Sequence, residues 1–180
     1  DRNSHFRILR AVKNRFGSIG EIGVFEMSSS GLEEVANPSA VFISQYDKPV
    51  SGRAVGCVLE GVRPMLTEVQ SLVVSTDFGN PARRCSGFNS NKLSIIIAML
   101  EKRLGYAMGM TDIFLNVAGG LKVEDTAADL AAVAAIMSAF TNTVLPAGAV
   151  FIGEVGLLGE LRNCAYAVPR IIEAQRLGFK

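Results

Sequence analysis

Side chains able to perform catalysis or bind a metal are few in this 180-residue chain. It has one histidine, His5, and three widely spaced cysteines, Cys57, Cys85 and Cys164. One histidine cannot build a histidine-based metal cluster, and no Cys-x-x-Cys pair is present. The sequence therefore predicts no metal site and no disulfide framework. We expect the thiols to be small core residues in a reducing compartment.

Motifs for nucleophilic catalysis and phosphate binding are also missing. No Gly-x-Ser-x-Gly supplies a serine for a Ser-His-Asp triad, and no Walker A loop is present. A serine–lysine dyad needs no histidine, so that chemistry stays open. The segment Gly119-Gly120-Leu121-Lys122 lies between a predicted strand and a predicted helix, where anions often bind. Its glycine spacing is not that of a phosphate loop, which favours a tight turn.

Composition narrows the class of protein. Lys+Arg is 18, Asp+Glu is 17 and hydrophobic residues make up 49%, with a mean hydropathy of +0.31. Such a chain can bury a sizeable core, which excludes disorder throughout, and a net charge of +1 excludes a histone-like binder. The apolar excess indicates a subunit interface. The longest apolar segment, 130–140, is too short to span a membrane, and the N-terminus does not read as a signal peptide.

The elements that would position these residues alternate between strands and helices. The apolar periodicity predicts helices over 89–104, 125–140 and 169–177, with caps at Asn89 or Ser90 and at Asp125 or Thr126. One helical turn is expected at 32–36. Strands are predicted over the ranges 6–12, 22–27, 53–61, 65–74, 112–118 and 149–154. This alternation predicts an α/β or α+β domain.

Several motifs, in a fixed order, carry a family resemblance. They include Lys13-Asn14-Arg15-Phe16-Gly17, Leu59-Glu60-Gly61-Val62-Arg63-Pro64, Asp112-Ile113-Phe114-Leu115-Asn116-Val117 and Gly153-Glu154-Val155-Gly156-Leu157. Over nearly its whole length the chain resembles the bacterial RadA/Sms family of DNA-repair proteins. The resemblance implies a Lon protease-like fold (ribosomal protein S5 domain 2-like) over 32–180. It also implies that residues 1–31 are the terminal strands of a RecA-like ATPase core.

The same resemblance implies that the Lon-like domain is not a protease. Lon proteases place their serine in Asp-Gly-Pro-Ser-Ala-Gly and their lysine after a strand that begins Gly-Glu. The matching positions here are Ala127 and Val168, which offer neither a nucleophile nor a base. Thr126 and Ser138 are the only hydroxyls on the predicted helix. We therefore expect no enzymatic activity from this fragment, with a surviving serine peptidase as the less favoured alternative.

The resemblance further implies a hexameric ring that binds single-stranded and duplex DNA. Such a ring would be part of an ATP-dependent branch-migration motor. The resemblance implies that the full-length protein is a DNA-dependent ATPase, and that ATP with Mg and a zinc finger belong to that longer protein. Basic side chains that reach phosphates are then the candidate DNA ligands. Arg83 and Arg84 are predicted to be neighbours in a loop. The other candidates are Lys92, Lys102, Arg103, Arg162, Arg170 and Lys180. Alternatively, each of these side chains is simply solvated on a helix face or forms an intersubunit salt bridge.

Lys13 and Arg15 form a separate case. They are alternate residues after a predicted strand, within the motif Lys13, Asn14, Arg15, Phe16, Gly17. The resemblance assigns this motif to a nucleotide in a neighbouring subunit or to DNA, and a solvated basic turn is the third interpretation.

An alternative function for the whole chain is a scaffold that oligomerises and docks a protein such as RecA without touching DNA. The expected location is the bacterial cytoplasm, or an organelle for a plant homologue, without membrane contact.

Overall fold

The computed structural model describes residues 6–10, 13, 15, 22–35, 37, 39, 42–44, 49–76 and 79–179. Within these ranges the strands fall into a three-stranded sheet, a five-stranded sheet and a two-stranded ribbon. No helix of the described residues is long and apolar enough to cross a membrane.

The three-stranded sheet is an antiparallel meander at the start of the chain. It consists of β1 (Phe6–Arg10), β2 (Ile22–Ser28) and β3 (Gly31–Glu34). The predicted helical turn at 32–36 is wrong over 32–34. The two residues after β2 form a turn that returns the chain antiparallel, so Leu32 pairs with Met27 in a ladder instead of coiling. The predicted domain boundary after residue 31 falls within β3.

The central sheet is mixed, with strand order β6-β7-β5-β4-β8. A hairpin joins β4 (Arg53–Glu60) to the long β5 (Arg63–Ser75), which pairs antiparallel with β7 (Thr111–Val117). The short strands β6 (Arg83–Ser86) and β8 (Val150–Phe151) are parallel to their neighbours. The predicted mixed α/β architecture is confirmed at this level.

Two helices cover one side of this sheet, which we call the inner face. Alternate apolar residues of the strands, among them Val69, Ile113 and Leu115, are buried against helices α1 (Ser90–Leu104) and α2 (Asp129–Phe140). The alanines of α2 let it approach β4 closely. A Cβ on Gly56 would lie 2.9 Å from that of Ala131.

The helix starts follow from their caps. The Asn89 side chain accepts a hydrogen bond from the Lys92 N–H at 3.0 Å, and Gly105 ends α1 in the left-handed conformation. The predicted helix over 125–140 is divided in two. Asp125 caps a 3₁₀ turn, Thr126–Ala128, by accepting from the Ala127 N–H, and α2 begins only at Asp129.

The other side of the sheet, the outer face, is covered only in part. Helix α3 (Ala167–Arg176) packs Ala174 against Val55, Cys57 and Leu66. Beyond that contact, toward β7 and β6, the described part of the outer face is open, since Leu72, Phe114 and Arg84 are exposed there. The predicted strand over 149–154 is β8 followed by β9 (Glu154–Val155), which pairs with β10 (Leu161–Arg162). Helix α3 begins two residues before its predicted start.

Candidate functional site

The two positions that the resemblance assigns to the Lon dyad lie in unlike surroundings. Ala127 is fully buried in the 3₁₀ turn before α2, whereas Val168 is exposed in the first turn of α3. Neither side chain can act as a nucleophile or a base.

A buried ion pair lies directly beside Ala127. One carboxylate oxygen of Asp125 accepts from the Leu59 N–H at 2.8 Å and lies 2.7 Å from Nη2 of Arg170. Arg170 is only 1% exposed, and its other nitrogens donate to the carbonyls of Cys57 and Ala165 at 2.6 and 3.0 Å. The pair therefore joins β4, the start of α2 and the start of α3. Arg170, a candidate DNA ligand, is not available to a phosphate in this structure.

A second ion pair lies on the other side of Ala127. Lys92 Nζ, on α1, is 2.7 Å from Oδ2 of Asp129 and donates to the Val155 carbonyl at 3.2 Å. The same carboxylate oxygen accepts from the Val155 N–H at 3.2 Å. Burial raises the pKa of the Asp129 carboxyl, and Lys92 opposes that shift. This cluster ties α1, α2 and β9 together and occupies Lys92, another candidate DNA ligand.

A cleft of about 460 Å³ opens between the start of α1 and residues 123–129. Its lining includes Lys92, Asp129 and the exposed Thr126, whose hydroxyl is the accessible one at the beginning of the predicted helix. A hydroxyl and a lysine thus line one cleft. Lys92 Nζ is already engaged by the Asp129 carboxylate and the Val155 carbonyl, so it is not free to act on the Thr126 hydroxyl. Ser138 is buried, accepts from the Gly52 N–H and donates to the Thr143 carbonyl.

Arg83 and Arg84 lie on strand β6, so the prediction of a loop is wrong for both. Neighbours on a strand point to opposite faces. Arg83 donates to the carbonyls of Thr111 and Met108. Arg84 lies on the outer face and is exposed, and it has no hydrogen bond or ion pair to another described residue. Only the second arginine is free to meet a phosphate.

The remaining basic candidates also separate by their contacts. Lys102 and Arg103 are exposed in the last turn of α1 and form no ion pair with the described part of the chain. Arg162 is paired with Glu160 at 2.5 Å and with Glu154 at 3.6 Å. Lys180 lies outside the described residues. The structure therefore leaves Arg84, Lys102 and Arg103 as the available cations among the candidates it describes in this half of the chain.

The basic motif near the start of the chain is described only in part. Lys13 and Arg15 are both exposed. Asn14, Phe16 and Gly17 lie outside the described residues. The choice between a nucleotide and DNA as the partner of this motif stays a prediction.

The cysteines and acidic groups show no sign of a metal centre within the described ranges. No three His, Cys, Asp or Glu side chains of those residues are grouped as metal ligands. All three cysteines are free thiols. Burial raises the pKa of the Cys57 thiol to about 12, which keeps it protonated and unreactive at neutral pH.

One exposed surface was not anticipated from the sequence. Leu72, Phe114 and Arg84 form a row across β5, β7 and β6 on the open part of the outer face. The prediction for residues 112–118 is a buried strand, whereas Phe114 and Asn116 are exposed in the structure. The period of two in that stretch was the available signal, since Phe114 and Asn116 alternate with the buried Ile113 and Leu115.

The family model described as subunit ChlI of Mg-chelatase matches residues 89–180, which is half of the chain. The chain therefore belongs to that family.

Curated relatives give a narrower relationship. The chain is 50% identical to a protein of Rickettsia bellii over 179 residues, covering 99% of this chain and 40% of the relative. It is 47% identical to a protein of Bacillus subtilis over 180 residues, or 100% of this chain and 39% of the relative. Both relatives are named DNA repair protein RadA, and the predicted relationship to the RadA/Sms family is confirmed. The chain spans about two fifths of the length of these relatives.

Proposed function

We propose that this chain is the DNA-holding module of a DNA repair protein, built on a proteolytically inactive Lon-like domain. The observation that carries the proposal is identity of about half over the whole chain with proteins named for DNA repair. The chelatase description comes from a match to half of the chain only, so the repair relatives decide the function that we propose.

The available cations support a local DNA contact. Lys102 and Arg103 stand side by side at the end of α1, exposed and without an ion pair among the described residues. With a net charge of +1 the subunit has no general attraction for DNA. A ring of copies repeats the same weak contact around one DNA molecule, which raises the overall affinity.

Exposed apolar side chains support self-association. In α3, Val168, Ile171 and Ile172 are spaced as one helical stripe and are 66%, 48% and 58% exposed. The β9–β10 ribbon adds Leu157, Leu158 and Leu161, each more than 60% exposed. Apolar surface of this extent is typical of an interface. We propose that it joins copies of the chain, with six as the number that the family resemblance implies.

The absence of peptidase activity is part of the proposal. Ala127 offers no nucleophile, Val168 offers no base, and the Lys92 ammonium is held by Asp129. The ATP-dependent chemistry, with its Mg and zinc finger, would belong to the rest of a longer protein in the bacterial cytoplasm. Residues 1–31 would then be the tail of its ATPase domain, with Lys13 and Arg15 directed at a nucleotide or DNA.

A docking scaffold without DNA contact is the second candidate. The apolar stripe of α3 favours it, because the same stripe could receive a partner protein such as RecA. The DNA measurement described next separates the two functions.

Binding of a duplex across a salt series tests the proposal. Lys102→Gln with Arg103→Gln should lower the slope of log K against log salt by about 1.8, since each phosphate contact contributes about 0.9. Arg162→Gln is the matched control, because Arg162 is exposed but already paired with two glutamates. Equal affinity and slope in the double variant would refute the assignment to α1. Binding by no form of the chain, with the mass of a multimer, would favour the docking scaffold.

A further inference from the structure

The open part of the outer face combines an aromatic ring with polar groups that lack partners. Phe114 is 36% exposed and Leu72, its Cα partner on β5, is 59% exposed. Arg84 is the Cα partner of Phe114 on β6. A row of three side chains therefore runs from the aliphatic Leu72 through the ring of Phe114 to the guanidinium of Arg84.

A polar row lies directly beside it. Asn116 pairs with Gln70 on β5 and with Ser86 on β6. Its Nδ2 donates to Oε1 of Gln70 at 3.2 Å, and its carbonyl oxygen has no partner among the described residues. Ser86 is exposed and its hydroxyl is likewise unpartnered within the described ranges. Donors and acceptors thus stand next to the ring.

The carboxylates described near these two rows are already engaged. Glu68 Oε1 accepts a hydrogen bond from Nε2 of Gln70 at 2.7 Å. Asp112 accepts hydrogen bonds from the Thr76 hydroxyl and the Ala82 N–H. These hydrogen bonds, with Arg83 and Arg84 nearby, hold the pKa of the Asp112 carboxyl below its usual range. Arg84 has no carboxylate within ion-pair distance among the described residues. Its charge is available to an anion from outside.

The chemistry of the face selects its occupant. An apolar protein surface would cover Arg84, Asn116 and Ser86 without giving them partners, and burying unpartnered polar groups costs free energy. A nucleotide offers a ring face, hydrogen-bonding edges and a phosphate together. Single-stranded nucleic acids bind protein sheets in this way, by stacking bases on aromatic side chains beside basic residues. A duplex keeps its base faces inside the stack and cannot use the ring.

We propose that the outer face of β5, β7 and β6 binds single-stranded nucleic acid. One base stacks on Phe114, a phosphate meets Arg84, and Asn116 and Ser86 contact the base edge. The inference rests on the proposed DNA-holding function and adds to it a second surface, distinct from the end of α1, with a preference for single strands.

The chain has no tryptophan, so Phe114→Trp gives a single fluorescent reporter in the full 180-residue chain. A stacked base should quench its emission when a deoxythymidine oligomer of about 20 nucleotides is added, and a duplex of equal length should not. Val62→Trp is the matched control, since Val62 is 54% exposed in the turn between β4 and β5, at the opposite end of β5 from Leu72. Its emission should not change with the oligomer.

Affinity gives the second readout. Phe114→Leu keeps an apolar side chain but removes the ring, and it should weaken binding of the single strand about 5-fold or more while duplex affinity is unchanged. Binding of both DNAs without quenching and without this loss would overturn the site and leave the proposed function standing. No binding of either DNA by the unmodified chain would overturn the proposed function and this site with it. If the emission of the Phe114→Trp variant changed with protein concentration in the absence of DNA, the outer face would be an interface between copies of the chain. That result would overturn the proposal.

Discussion

Replacing Arg170 tests whether the buried ion pair beside Ala127 supports the fold. Arg170→Ala removes the side chain that links Asp125 to the carbonyls of Cys57 and Ala165. Breaking a buried pair from one side costs about 3–5 kcal/mol of the free energy of unfolding. We expect a value near 3 kcal/mol, because the Asp125 side chain is 19% exposed and keeps two backbone N–H donors.

That loss is large enough for ordinary equilibrium unfolding. For a chain of this size 1 kcal/mol corresponds to about 2–4 °C, so the Tm should fall by about 6–12 °C. Urea unfolding followed by circular dichroism gives the free energy itself. Arg176→Ala is the matched control on the same helix, since Arg176 is half exposed and pairs with Glu173 near the surface. Its cost should be about 1 kcal/mol or less.

The double variant identifies the cause. Asp125→Asn alone should also destabilise the protein, and with Arg170→Ala the two losses should not add, since both remove the same pair. DNA affinity, measured at a temperature where the variant is folded, should equal that of the unmodified chain. An Arg170→Ala protein of undiminished stability, or a folded one with weakened DNA binding, would refute the structural role.

Two further predictions concern a thiol and a carboxylate. Cys57 is fully buried, and its thiol has a pKa of about 12. In native protein it should therefore be alkylated far more slowly than Cys164, and in urea the two should react equally fast, as followed by mass spectrometry. Equal rates in native protein would contradict the burial of Cys57. The Arg176 hydrogen bond holds the pKa of the Glu173 carboxyl below its ordinary 4.5, so its stabilising contribution is complete above that pH and is lost as the pH falls through the folded value. Glu173→Gln should therefore flatten the acid limb of the stability curve, and an unchanged limb would show that other carboxylates set it.

Local signals predicted the helices well because their causes are local. The N-cap at Asn89, the apolar spacing of α1 and Gly105 after its last turn all lie within one element, and the structure has each of them. The error at Leu32 has a tertiary cause. Its pairing with Met27 depends on a turn that brings β2 and β3 together. A short apolar run does not reveal such pairing between segments.

The candidate site was harder to predict because charge alone does not tell where a side chain points. Arg83 and Arg84 are adjacent in sequence, yet strand geometry sends one to backbone carbonyls and leaves the other exposed. Arg170 pairs with Asp125, 45 residues away in the chain, a contact that no periodic pattern encodes. The family resemblance predicted the relationship to DNA repair proteins, but it could not say which cations are free.

The two ion pairs beside Ala127 add a physical reason to the proposal that this domain is proteolytically inactive. Asp125 and Asp129 flank Ala127, the position that the resemblance assigns to the Lon serine. Both carboxylates are engaged, the first with Arg170 and the second with Lys92. A catalytic nucleophile needs an accessible turn with a free base beside it, whereas here the turn is a joint between α1, α2, α3 and β4. These charged groups hold neighbouring elements together, and the proposed recognition of DNA falls to the cations and the aromatic ring on the surface.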